Sequence, residues 1–189
     1  MKILEQRILE DGVLLPGNIL KVDSFINHMV DPILFMELAR EFKNIFADKE
    51  IDKIVTMEVS GIAPAFACGA VFEKPVLFAK KTVSKTLGDD VYKTQVHSFT
   101  KKTTYDVMIS KELLKEGEKV LIIDDFLAKG KALRGLIELC EQAKVDIQGI
   151  GVFIEKSFQG GGDRIKEMGY DVHSLAKIRE FKNGEIIFD

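Results

Sequence analysis

The sequence predicts an α/β protein with an open, mainly parallel sheet flanked by helices, a hairpin flap and an N-terminal appendage. Three observations carry this. Apolar runs without polar alternation, VLII at 120–123 above all, suit strands covered on both faces, as in parallel sheets. Segments with apolar residues at three- and four-residue spacing alternate with those runs. The chain has 189 residues, 46% of them hydrophobic and 30% charged. That suits a single domain over 1–189, neither disordered nor fibrous.

The elements follow in order. Residues 1–10 place Met1, Leu4 and Ile8 on one helical face, and Asp11-Gly12 ends that helix. Asp31-Pro32 pairs an N-cap with a proline at the first helical position. Phe35, Leu38, Ala39, Phe42, Ile45 and Phe46 then trace one buried face. Residues 53–57 read as a buried strand, 62–72 as a helix with Pro64 in its first turn, and 75–79 as a second strand. Segments 91–97 and 104–109 form an antiparallel hairpin. Strands at 119–123, 149–154 and 172–178 alternate with helices at 132–143 and 163–168.

Composition removes several function classes. A net charge of −3 gives no global basic field for nucleic acid. The longest apolar run, 61–72, is well short of the roughly 20 residues of a spanning helix. Residues 1–10 hold no apolar signal-peptide segment, so the expected location is the cytoplasm, with no membrane partner. Cys68 and Cys140 lack CxxC spacing and read as buried free thiols. His28, His97 and His173 lie in separate segments without metal-ligand spacing, and Ser60 has no nucleophile-elbow context. Charge is uneven, however. Between Lys74 and Lys102 stand seven lysines and two acids, Asp89 and Asp90, on an otherwise acidic chain. Such a segment suits an anionic small molecule, and equally a solvated edge hairpin guarded by lysines.

The sharpest motif is VLIIDDFLAKGKA at 120–132. A buried strand meets Asp124 and Asp125, then small residues with Gly130, then a helix. Glycine lets backbone N–H groups approach a phosphate, and the helix turns its positive end toward it. The paired carboxylates can accept hydrogen bonds from ribose hydroxyls, directly or through hydrated Mg²⁺. A plain strand–helix turn with a chance Asp-Asp is the competing reading. Neither GxxxxGK[ST] nor GxGxxG is present, and Gly160-Gly161-Gly162 reads as a turn.

VLIIDDFLAKGKA resembles the phosphoribosyl-diphosphate motif of type I phosphoribosyltransferases, specifically their xanthine-using branch. The resemblance extends through LKVDSFINHMVDP (20–32), EVSGIAPA (58–65), LFAKK (77–81) and GIGVFIEKSFQ (149–159). It is weakest over 82–118 and at the C-terminus. It implies the type I phosphoribosyltransferase fold, with residues 1–50 as a purine-binding hood and 51–189 as the α/β core. It also implies purine salvage as a homodimer: xanthine and 5-phosphoribosyl-1-diphosphate give xanthosine 5′-monophosphate and pyrophosphate. Mg²⁺ rides on the donor's diphosphate, with no ligand expected directly from side chains.

By the same resemblance Ala128, Lys129, Gly130, Lys131 and Ala132 cradle the 5′-phosphate, and Asp124 and Asp125 hold the ribose hydroxyls. Glu58, Val59, Ser60 and Gly61 match the diphosphate loop, and Lys81, opening the flap, matches a diphosphate-contacting lysine. Leu20, Asn27 and Lys156 match the purine positions. Each has an ordinary competitor: core packing for Leu20, helix capping for Asn27, a surface lysine at a strand exit for Lys156. Phe126 and Phe158 are candidates to stack on the purine, with core packing the default among 13 phenylalanines. The chain departs from the wider family at Ala128, where many members carry an acid or hydroxyl, and at Ala132, where they carry Thr or Ser. Lys129 and Lys131 also stand where neutral amides are expected. The alternatives are a hypoxanthine, guanine or adenine transferase, or a purine-responsive regulator of the same fold. The regulator is disfavoured by the lack of a basic recognition helix in the first 50 residues.

Overall fold

A computed structural model describes residues 1–81, 90–98 and 103–189. The stretch that follows Lys81 at the opening of the expected flap, 82–89, lies outside the described residues. The chain runs α1 (Lys2–Asp11), β1 (Val13–Leu15), β2 (Ile19–Lys21), a π-helical turn (Asp23–Asn27), α2 (Pro32–Ile45), β3 (Lys53–Met57), α3 (Ile62–Phe72) and β4 (Val76–Ala79). It continues with β5 (Val91–Ser98), β6 (Thr103–Ser110), β7 (Lys119–Leu127), α4 (Lys131–Ala143) and β8 (Asp146–Lys156). A 3₁₀ turn (Ser157–Gln159), α5 (Gly161–Glu167), β9 (Val172–Lys182) and β10 (Glu185–Phe188) complete it.

Six strands form the central sheet in the order β10-β9-β8-β7-β3-β4, parallel except for β10. Side chains alternate between its faces, so each strand feeds two cores. Ile54, Leu121, Ile123 and Phe153 pack with α1, α2 and α3; Val55, Val120, Ile122 and Val152 pack with α4, α5 and the β5–β6 hairpin. The Asp31 carboxylate caps α2 by accepting from the N–H groups of Ile33 and Leu34, both at 3.1 Å. Phe42 stacks on Phe46 and Phe153, and Phe35 meets Phe153 edge-on. The hairpin is held to α4, where Gly135 leaves room for Val96 and the Thr94 hydroxyl donates to Glu138.

Three differences from the sequence reading bear on function. First, β7 continues through the two acids to Leu127, because β8 keeps pairing with it as far as Leu127↔Glu155. Second, a short β1–β2 hairpin follows α1, pairing Leu14 with Leu20. Third, Gly160-Gly161-Gly162 is more than a turn: Gly160 adopts a positive φ of 67° and α5 starts at Gly161. Both cysteines are buried and unpaired with each other, and burial raises their pKa values, Cys140 to about 12. Among the described residues no helix is long and apolar enough to cross a membrane.

Candidate active site

The site forms at the carboxyl ends of β3, β7 and β8, where open α/β sheets place their ligands. Asp124 and Asp125 lie at its floor, 5% and 6% exposed. The Asp125 N–H donates to Asp124 Oδ1 at 3.0 Å. Burial, then the charge of Asp125, pushes the Asp124 carboxyl well above its ordinary pKa, while Lys81 pulls the other way. Burial, then the Asp124 charge, raises the Tyr105 hydroxyl in turn. The Lys81 ammonium sits 5.2 Å from the centre of the Tyr105 ring, so Lys81, Tyr105 and Asp124 form one electrostatic cluster.

The loop at 58–61 crosses directly over this floor. A Cβ on Gly61 would lie 2.3 Å from Thr56 Oγ1, 2.9 Å from Asp124 Oδ1 and 3.0 Å from the Met57 carbonyl oxygen. Only glycine fits there. The Thr56 hydroxyl beneath it is buried without a hydrogen-bond partner. The Lys81 N–H donates to Glu58 Oε1 at 2.5 Å, tying the loop to the end of β4. The Glu58–Val59 peptide is cis, and Val59 and Ser60 are exposed.

A second loop joins β7 to α4. Gly130 has φ 76°, a conformation suited to glycine, and α4 begins at Lys131. The loop lines a cleft of about 410 Å³ together with Phe126, Tyr105, Lys156, Gln159 and the β1–β2 turn at Gly17, Asn18 and Ile19. Ala128, Lys129, Gly130, Lys131 and Ala132 all border it. The Lys156 ammonium donates to the Asn18 carbonyl oxygen at 3.1 Å. It lies 5.8 Å from the Phe126 ring centre and 5.6 Å from that of Phe181, and burial lowers its pKa. Leu20 is buried in the core of the N-terminal segment, beside its cleft-lining neighbours Asn18 and Ile19. Asn27 lines a separate apolar cavity of about 520 Å³ with Val59, Ser60 and Phe66.

A model of the phosphoribosyl transferase domain matches residues 29–182. The chain belongs to the phosphoribosyltransferase family. It is 59% identical to a xanthine phosphoribosyltransferase of Finegoldia magna, over all of both chains. A xanthine phosphoribosyltransferase of Ligilactobacillus salivarius is 48% identical over the whole of this chain and 98% of its own. Among solved structures, an adenine phosphoribosyltransferase of Rhodothermus marinus superposes with a TM-score of 0.76, covering 94% of this chain and all of that one, at 18% identity. A Saccharomyces cerevisiae adenine phosphoribosyltransferase gives 0.73 at 20% identity, covering 93% and 99%. At such identity the structural likeness speaks for the fold.

The family's chemistry asks for a divalent cation, and the donor set suits Mg²⁺. Among the described residues no three His, Cys, Asp or Glu side chains converge as a cage. Asp124, Asp125 and Glu58 offer hard carboxylate oxygens that would meet a donor-borne Mg²⁺ through its water shell, in keeping with an ion that keeps several waters and phosphate oxygens. Sequence reasoning missed Tyr105, Gln159 and the Gly17–Asn18 turn, which reach the cleft only through long-range folding. Phe126, a stacking candidate for which core packing is the default, borders the cleft. Its place between the acids and the phosphate loop is the sequence signal for that position.

Proposed function

We propose that this chain transfers the 5-phosphoribosyl group from 5-phosphoribosyl-1-diphosphate to xanthine, releasing pyrophosphate. One observation carries the reading. The paired strand-end acids, the Gly130 loop opening α4 and the half-buried Lys156 ammonium stand at the ends of two adjacent parallel strands, β7 and β8. They offer a ribose site, a phosphate site and a base site in line.

In this reading the N–H groups of 128–132 and the positive end of α4 hold the 5′-phosphate. Asp124 and Asp125 accept hydrogen bonds from the ribose hydroxyls. As the C1–oxygen bond breaks, positive charge grows on the ribose and negative charge on the leaving diphosphate. The 58–61 loop and Lys81 meet the departing charge. Mg²⁺ on the donor adds charge neutralisation there. Lys156 donates to the purine's C6 carbonyl oxygen and leaves Asn18 to do so. Leu20 anchors the hairpin whose turn borders the base. Asn27, at the apolar cavity beside the 58–61 loop, is assigned to the C2 carbonyl oxygen, which its amide can satisfy. Ala128 offers no general base, and the ready ionisation of xanthine reduces the need for one. The enzyme acts in the cytoplasm as a homodimer, and the exposed apolar face around Phe66 favours self-association.

The test is a purine panel with 5-phosphoribosyl-1-diphosphate and Mg²⁺. Xanthine gives the highest kcat/KM, guanine and hypoxanthine less, and adenine little. A panel won by adenine overturns the assignment.

A further inference from the structure

Helix α5 lies beside the cleft, and its contacts with the phosphate loop are unusually close. A Cβ on Gly161 would stand 2.2 Å from the Ala128 carbonyl oxygen and 2.9 Å from the Gly130 nitrogen, so only glycine lets the helix abut the loop. A Cβ on Gly162 would stand 2.0 Å from Glu155 Oε1. Glu155 is 5% exposed, and its other oxygen accepts from the Ser174 hydroxyl at 2.6 Å. The start of α5 is therefore wedged between the phosphate loop and a buried carboxylate that β9 holds in place. One turn on, Arg164 Nη2 donates to two carbonyl oxygens, Gln159 at 2.7 Å and Lys129 at 3.3 Å. Lys129 and Gln159 both line the cleft, the first on the phosphate loop and the second just past the end of β8.

We propose that Arg164 is a positioning residue for donor binding: it clips the phosphate loop to the segment that follows the purine-side strand, with Gly161, Gly162 and Glu155 as the supporting wedge. The inference rests on reading 128–132 as the donor's phosphate loop. The physical reason lies in the peptide plane. A trans peptide points its carbonyl and its N–H in opposite directions, so holding the Lys129 carbonyl oxygen fixes the direction of the Gly130 N–H. A loop with φ 76° at Gly130 has alternatives open to it, and glycine adopts them at little cost. Clipping it before the donor arrives removes an ordering cost that would otherwise weaken binding. A planar guanidinium suits the task, because its donors are fixed in one fork while a lysine offers a single point.

The experiment measures donor affinity by calorimetry, which needs no purine, and steady-state kinetics for Arg164→Ala and Arg164→Lys. Arg164→Ala is expected to weaken donor binding and raise the donor KM by about three- to fivefold, since the arginine is exposed and its bond to the Lys129 carbonyl is long at 3.3 Å. Its kcat at saturating donor should stay within about twofold, because the restored loop presents the same groups. Arg164→Lys should recover less than half of the loss, and high salt should leave the gap between wild type and Arg164→Ala intact, since geometry rather than net charge is at stake. Donor affinity within twofold of wild type in Arg164→Ala overturns the proposal. So does full recovery in Arg164→Lys, which would make the residue a mere point charge. A Tm loss beyond about 5 °C would also overturn it by making Arg164 a stability residue, as this is more than about 1 kcal/mol for a chain of this size. Wild-type enzyme that binds donor yet turns over no xanthine would sink the reaction proposed above and leave the clip standing.

Discussion

Asp124 is placed where burial and a like-charged neighbour both oppose its ionisation, and ligand binding is the reason to tolerate that. The sign of the pH effect follows. Its folded pKa is raised above the unfolded value of about 3.9. A group of this kind adds stability below the unfolded pKa, and that stability is lost as pH rises through the folded one. Asp124→Asn removes the charge that Asp125, Lys81 and Tyr105 face. The variant should therefore have a higher Tm than wild type at pH 7, with the gap closing as pH falls toward 4, and a weaker grip on the donor. Thermal scans across that range decide it: a variant less stable at every pH would show that Asp124 is well accommodated as a carboxylate. Lys81 acts in the opposite sense. Lys81→Ala should lower the single-turnover chemical rate by roughly 10- to 100-fold, because the charge it meets grows in the transition state. Xanthine affinity measured with pyrophosphate present should hardly move. An unchanged chemical step returns Lys81 to the role of a surface lysine on a hairpin edge.

At the scale of elements, the packing of β8 against α2 shows what a linear reading can and cannot deliver. The apolar periodicity of α2 and the cap at Asp31-Pro32 were legible because both signals are local. The glycines of GIGVFIEK carried no such signal, yet they are pockets for rings. A Cβ on Gly149 would lie 2.4 Å from Phe46 Cε1, and one on Gly151 would lie 2.8 Å from Phe42 Cε1 and 2.7 Å from Ile123 Cδ1. Gly151→Ala should lose about 1–3 kcal/mol by overpacking, with kcat per folded molecule preserved. Phe42→Leu added to it should recover part of the loss in urea melts; strict additivity of the two changes would show that the ring is not what the methyl meets. Strands β1 and β2 escaped notice because three residues each are too few for alternation to register. The β9–β10 hairpin did leave a sign, Asn183-Gly184 between two strand-like runs, and both residues adopt positive φ.

For the molecule as a whole, the donor side of the candidate site was readable, because strand, acids, loop and helix are contiguous from Val120 to Ala132. The residues assigned to the base, Leu20, Asn27 and Lys156, rest on the resemblance alone, because they come from distant segments and no local spacing encodes how the N-terminal segment reaches the strand ends. The same segment contributes to an apolar face that the single chain leaves open. Val30, Val59 and Phe66 are 42%, 76% and 71% exposed around the cavity that Pro32, Phe35 and Met36 also line. A face of this kind on a symmetric dimer meets its own copy, and Phe66 is its largest exposed ring. It also adjoins the 58–61 loop, so pairing would shield Val59 and Ser60 and steady the groups that face the diphosphate. Wild-type protein should therefore sediment as a dimer at micromolar concentration. Phe66→Lys, on the exposed side of α3, should give a folded monomer, because a charge on each side of a two-fold contact counts twice. Its donor KM should rise several-fold while the Tm of the monomer falls by only a few degrees. Sedimentation velocity alongside donor titration reads both effects. Phe66→Lys that stays dimeric with unchanged donor KM would move the interface to another face, and monomeric wild-type protein would remove it altogether.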